Sequence, residues 1–183
     1  MKKKTLIVSE SISLSPVMER DKQSLIKYLN NKEIYKNTLR IPYPYSKEDA
    51  DWWINSCKGS YKRLGVITKF VIRKNEELIG GVGFDDYLSE KEEVDCGYWL
   101  AQPFWNKGIM TKVVHTLCMF GFNELKIPKI TANVFSYNKA SMKVLQKVGF
   151  IFEKNLKNHY EKDGQKIDAE FYTLTNDQWE SEF

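Results

Sequence analysis

Apolar residues recur along this chain in two rhythms, every second residue and every third or fourth, and these mark out short strands and amphipathic helices. Residues 4–14 alternate as a strand does, with Ile12 and Leu14 on one face. Asp21 to Asn31 carries Leu25, Ile26 and Leu29 at helical spacing and predicts a first helix. After the loop Ile41-Pro42-Tyr43-Pro44-Tyr45, the run Ser46-Lys47-Glu48-Asp49 has the form of a capping box, with serine at the N-cap and an acid three residues on. Trp52, Trp53 and Cys57 ride on the helix it starts, and adjacent tryptophans cannot both face inward.

Residues 65–73 and 77–85 predict a hairpin across Lys74-Asn75-Glu76, and 93–101 a further strand. From Met110 to Phe122 the stripe Met110, Val113, Val114, Leu117, Phe120 and Gly121 repeats at helical period. A strand over Ile127–Phe135 follows, then a helix over Asn138–Val148 closed by Gly149. A last hairpin pairs 150–160 with 166–175 across Asp163-Gly164. The order β-α-α-β-β-β-α-β-α-β-β sets one strand–helix–strand unit inside an otherwise antiparallel sheet, an α+β (mixed α/β) fold. No repeat or linker interrupts it, and 183 residues suit a single domain over 1–183.

Composition adds exclusions. With 28 basic and 24 acidic side chains the net charge is +4, the mark of a mixed solvated surface, and no nucleic-acid-binding module is present. Cys57, Cys96 and Cys118 are odd in number and widely spaced, so neither a disulfide framework nor a metal site is expected. The opening Met1-Lys2-Lys3-Lys4-Thr5-Leu6-Ile7-Val8 is basic but only briefly apolar, unlike a secretory leader. No run approaches the roughly 18 apolar residues of a membrane span. A cytoplasmic protein without a membrane partner is expected.

The most informative stretch runs from Gly97 to Thr111: an aromatic strand, a break at Pro103, a short loop ending in Gly108, then an amphipathic helix. Such a layout aims backbone N–H groups and the positive end of a helix dipole at one spot, and Gly108 removes the Cβ that would keep an anion away. The guest that fits is a pyrophosphate.

Two motifs in this order are similar to those of the GNAT-family N-acetyltransferases, and more narrowly of the branch holding the ribosomal-protein N-terminal (alanine/serine) acetyltransferases. The first is Gly97-Tyr98-Trp99-Leu100 followed by Trp105-Asn106-Lys107-Gly108-Ile109-Met110; Lys107 and Gly108 match, and Met110 stands where Gly or Ala is usual. The second, Asn138-Lys139-Ala140-Ser141-Met142-Lys143-Val144-Leu145-Gln146-Lys147-Val148-Gly149-Phe150, resembles the family's Asn-x-Ala-Ser-x-x-x-Leu-x-x-x-Gly-Phe. The resemblance implies a twisted, mostly antiparallel sheet of about seven strands, splayed between the fourth and fifth and flanked by about four helices.

It also implies acetyl-CoA as cosubstrate, no metal, a primary-amine acceptor (a protein or peptide N-terminal α-amine or a small molecule), and a homodimer among the expected assemblies. Backbone groups of Trp99, Leu100 and Ala101 would pair with the pantetheine arm. The N–H groups of Asn106, Lys107, Gly108, Ile109, Met110 and Thr111 would hold the diphosphate. Asn138 and Ser141 would face the cosubstrate. Several relatives carry a glutamate at the Asn133 position and many a tyrosine at the Leu145 position. Without these, Asp95 is the candidate base and Ser141 the candidate acid. Tyr43, Tyr45, Trp53, Phe84 and Tyr160 are candidate walls for the acceptor, with His159 beside Tyr160. A catalytically silent acyl-CoA-binding regulatory protein is the alternative.

Overall fold

The computed structural model describes residues 4–182; Met1, Lys2 and Lys3, the first three of the eight residues of the basic opening considered above, and Phe183 lie outside it. Eight strands form one sheet: β1 (Leu6–Ile7), β2 (Ile12–Ser15), β3 (Lys69–Lys74), β4 (Glu77–Asp85), β5 (Glu93–Leu100), β6 (Lys129–Phe135), β7 (Ile151–Lys162) and β8 (Gln165–Thr175). Their spatial order is β1-β2-β3-β4-β5-β6-β8-β7. β5 and β6 pair in parallel, while β1–β2, β2–β3, β3–β4, β6–β8 and β7–β8 are antiparallel. The helices are α1 (Lys22–Leu29), α2 (Lys32–Asn37), α3 (Lys47–Leu64), α4 (Ile109–Asn123), α5 (Lys139–Val148) and α6 (Asn176–Glu182).

The α+β class holds, with more elements than the pattern predicts. The first strand is two, β1 and β2, folded back on each other with Leu6 opposite Leu14. α2 occupies part of the expected loop; the Asn31 side chain caps it by accepting from Glu33 N and Ile34 N, and Ile34 is its buried residue. α6 follows the last hairpin.

The chain divides into two compact units, the first running up to Gly83 and resuming over Tyr98–Ile109, the second comprising Phe84–Gly97 and the chain from Met110 onward. In the first, Leu25, Leu29, Ile34, Ala50, Ile54 and Val71 form a core on which Trp53, Trp99 and Trp105 pack partly buried. Beside it Arg73 and Asp21, both buried, make a two-pronged ion pair at 2.7 Å, and Arg73 Nε also donates to Ser15 Oγ. Such a pair persists because its remaining donors are matched too. In the second unit the whole stripe of α4 is buried, Met110 included. Gly121 lets α4 approach closely, since a Cβ there would stand 2.7 Å from the tip of the Phe84 ring. The His115 ring packs 4.7 Å from that of Trp179, and burial lowers its pKa. α5 ends at Gly149 with φ +101°, and the last hairpin turns through Asp163 and Gly164, both left-handed.

Candidate active site

Where β5 ends, the chain breaks into the loop Ala101–Gly108. Pro103 sits in a short turn of 3-10 helix, Gln102–Phe104, and the Trp105 indole donates to the Leu100 carbonyl at 2.6 Å, pinning the loop to the strand it leaves. The loop then passes through left-handed backbone at Asn106 (φ +60°) and Gly108 (φ +71°) and enters α4. A glycine cannot cap with a side chain, and the first turn of α4 holds no acid. The four leading N–H groups of a helix have no partner within it, so this end offers donors and a positive dipole to the exposed surface around residues 106–108. The Met110 side chain, 8% exposed, turns into the core and leaves that surface clear. The Lys107 ammonium folds back to donate to the Pro103 carbonyl at 2.8 Å and lies 5.7 Å from the Phe104 ring centre.

Strand alternation corrects part of the expected pairing edge. Ala101 N donates to Ile79 O at 2.8 Å, and a Cβ on Gly80 would stand 2.6 Å from Trp99 O. The main-chain groups of Trp99 and Ala101 therefore face β4. Those of Tyr98 and Leu100, one residue out of phase, point the other way. That edge presents Tyr98 and Leu100, a phase that composition and spacing do not reveal.

β5 and β6 are registered only at Glu93–Lys129, Val94–Ile130 and Asp95–Thr131, although β5 runs on to Leu100 and β6 to Phe135. That is the expected splay, between the fifth and sixth strands once the first strand counts as two. At its root sits Asp95. Its Oδ1 accepts from Thr131 Oγ1 and from Asn133 Nδ2, both at 3.1 Å. Gly97, on the same face, is the next residue out, and a Cβ there would lie 3.5 Å from Asp85 Oδ2. The buried Cys96 thiol has its pKa pushed well above the usual range, by burial first and then by Cys118, Asp95 and Asp85.

At the start of α5, Asn138 accepts from Ser141 N at 3.1 Å and so is a cap. Ser141 is half-buried one turn into the helix, and Leu145, in the position of the family's tyrosine, is fully buried. Phe135 lies between Tyr137 (5.5 Å) and Tyr160 (5.6 Å), with His159 against Tyr160, an aromatic group beyond the C-terminal end of β6.

The expected acceptor walls separate. Phe84 and Tyr45 are 0% and 5% exposed and belong to the core, so they have no face to offer a substrate. Trp53 packs partly buried, whereas its neighbour Trp52 is exposed. Tyr43 is 39% exposed, its ring 5.9 Å from that of Tyr35. Among the described residues no group of three or more His, Cys, Asp or Glu side chains is placed to hold a metal ion, and no helix is long and apolar enough to cross a membrane.

Comparison with known proteins brings these features under one heading. The chain is 27% identical over 172 residues to the uncharacterized N-acetyltransferase p20 of Bacillus licheniformis, covering 92% of this chain and 94% of that one. It is 27% identical over 155 residues to the ribosomal-protein-serine acetyltransferase of Escherichia coli, covering 84% and 86%. Its fold superposes with a TM-score of 0.87 on the ribosomal L7/L12 α-N-protein acetyltransferase RimL, solved in complex with coenzyme A, at 20% identity and covering 96% and 99%. The sequence pattern of the acetyltransferase (GNAT) domain matches residues 11–151, and the chain is an acyltransferase that belongs to the GNAT family.

Proposed function

We propose that this GNAT acetyltransferase moves the acetyl group of acetyl-CoA to a primary amine, a protein or peptide N-terminal α-amine or a small-molecule amine. The observation that carries the proposal is the uncapped, acid-free start of α4 behind a loop that turns left-handed at Asn106 and Gly108. The N–H groups from Asn106 to Thr111 hold the diphosphate, each charge-assisted bond contributing about 1.5–3 kcal/mol against roughly 0.3–2 kcal/mol for the dipole. The bonds dominate, so the backbone course matters more than the loop's side chains. The amides of Tyr98 and Leu100 take the pantetheine arm as a neighbouring strand would, and Asn138 faces the cosubstrate.

An α-amine near pKa 7.7–8.0 is neutral roughly a quarter of the time near pH 7.4, against about one part in a thousand for a lysine amine. An N-terminal acceptor therefore needs only modest help from a base, and Asp95 fills that role. The amine nitrogen attacks the thioester carbonyl and a C–N bond forms. Its proton passes to Asp95, the C–S bond breaks, and the Ser141 hydroxyl gives its proton to the departing thiolate while taking one back from solvent. Tyr43, Trp53 and Tyr160 remain acceptor contacts under this reading. The names of the relatives favour a protein α-amine.

Thiol release with acetyl-CoA tests this over serine- and alanine-initiated peptides and small amines. Turnover with at least one acceptor, cut about 10–100-fold in a folded Ser141→Ala variant, is the expected result. Binding of coenzyme A without turnover on any acceptor would favour the silent binder, which the absent glutamate and tyrosine at Asn133 and Leu145 keep in contention. An unchanged rate in Ser141→Ala would remove Ser141 from the chemistry.

A further inference from the structure

Asp95 and Thr131 form the last registered pair of β5 and β6, and Asn133 is the next residue of β6 on that face. Two donors, Thr131 Oγ1 and Asn133 Nδ2, meet on the single oxygen Asp95 Oδ1. The opposite end of the same amide is unmatched: Asn133 Oδ1 is buried and accepts no hydrogen bond from any described residue. A buried acceptor left this way is costly. An apolar side chain of equal size would avoid that cost, so the amide calls for another explanation.

We propose that Asn133 is a positioning residue that follows the proton on Asp95. It donates through Nδ2 while Asp95 is a carboxylate, and it turns by half about its terminal bond to accept through Oδ1 when Asp95 is a carboxylic acid. The proposal rests on Asp95 as the base of the reaction above. A base must exist in both forms within each turnover. A fixed donor such as an ammonium serves only the anion, a second carboxylate opposes it, and a leucine serves neither form. A primary amide carries a donor and an acceptor exchanged by a half-turn, while the Thr131 hydroxyl can go on donating to the same oxygen in both forms. In both orientations one end of the amide meets Asp95 and the other is left over. The cost of the unmatched end is then similar before and after transfer and largely cancels. As the C–N bond forms, the nitrogen's proton moves to Asp95; when it leaves for solvent the amide turns back. Among the described residues, titratable neighbours include Asp85, beside Gly97, and Cys96, which burial keeps as a thiol.

Side-chain amide resonances of Asn133, followed by NMR through a pH titration of the whole protein without acetyl-CoA, report the turn directly. They should shift with one midpoint in the wild type and lose that midpoint in Asp95→Asn. In kinetics with a serine-initiated peptide, Asn133→Leu should lower kcat about tenfold, leave both KM values within about twofold, and move the acidic limb of the kcat profile to higher pH because the carboxylate has lost a donor. Asn133→Gln, which keeps the amide, should recover part of the loss. A folded Asn133→Leu variant with wild-type kcat and pH profile, beside an inactive Asp95→Asn, would overturn the proposal. Full kcat in Asp95→Asn would instead overturn Asp95 as the base, and the proposal with it. If Asn133→Leu does not fold, wild-type amide resonances that ignore pH overturn it by themselves.

Discussion

Helices α3 and α4 begin in opposite ways. At the start of α3, Ser46 Oγ accepts from Asp49 N at 3.1 Å, Asp49 Oδ2 accepts from Ser46 N at 2.8 Å, and Glu48 and Asp49 set negative charge against the dipole. α4 starts behind Gly108, with no capping side chain and no acid in its first turn. A cap is typically worth about 1 kcal/mol to a helix, so α4 forgoes stability that α3 keeps. The sealed end can bind nothing, whereas the open one presents unmatched N–H groups to an anion. α1 too begins with no side-chain cap and no acid in its first turn, so the open start of α4 takes its meaning from the left-handed loop at Asn106 and Gly108 that leads into it. α5 is intermediate between α3 and α4, capped by Asn138 but with no acid in its first turn.

Closing α4 in the manner of α3 should have the largest effect. Gly108→Asp places a carboxylate at the N-cap, and aspartate tolerates left-handed backbone better than most residues. Its oxygen would take the N–H groups meant for the diphosphate and add repulsion. Losing one or two charge-assisted bonds corresponds to about 100-fold weaker coenzyme A binding by calorimetry. The melting temperature should fall by only a few degrees, since the backbone cost is roughly 1–2 kcal/mol and the new cap returns part of it. Unchanged affinity in Gly108→Asp would mean that the open helix start is not the anion site.

Holding the loop differently, without closing it, should matter less. Trp105→Phe keeps a ring for packing and deletes the N–H bound to the Leu100 carbonyl. One neutral hydrogen bond is worth about 1 kcal/mol, so coenzyme A should bind about fivefold more weakly, with little change in the fold by circular dichroism. Affinity within twofold of wild type would show that the loop holds its course without the indole.

The same contrast shows how far the chain's sequence can be read. Ser46-Lys47-Glu48-Asp49, the Gly149 stop, the Asp163-Gly164 turn and the stripe from Met110 to Gly121 are local codes, and each folds as its residues direct. α2 is too short for periodicity to betray it, with Ile34 as its one buried residue. The break between β1 and β2 likewise leaves the alternation intact. At the site, the glycine and the missing acids are visible as letters. The phase of β5, which turns the Trp99 and Ala101 main chain toward β4, depends on pairing with Ile79. Phe84 and Tyr45 look like pocket aromatics in sequence because nothing local says that Gly121 and the α1–α3 core surround them. Asn133 looks inert until Asp95 is found beside it.

Removing the seal from α3 sharpens the comparison from the other side. Ser46→Ala deletes the acceptor for Asp49 N and should lower stability by about 1 kcal/mol, a fall of roughly 2–4 °C in melting temperature for a chain of this size. Coenzyme A affinity should be unchanged, because that helix start belongs to the fold. A loss of affinity at equal folded fraction would blur the distinction between the two ends.

The smallest effect is expected where a basic side chain beside a phosphate site invites the opposite guess. Lys107 adjoins Gly108, and its charge suggests a direct partner for the diphosphate. Yet its ammonium donates to the Pro103 carbonyl and lies near the Phe104 ring, so it braces the loop from behind. It is exposed, and an exposed charge acting at a distance is screened within about 8–10 Å at ordinary salt. Lys107→Gln retains a donor of similar reach and should weaken coenzyme A binding by no more than about two- to threefold, a difference that shrinks further as salt is raised. A tenfold loss that persists at 0.5 M salt would show the ammonium in direct contact with phosphate, and would transfer to a side chain the role assigned here to main-chain N–H groups.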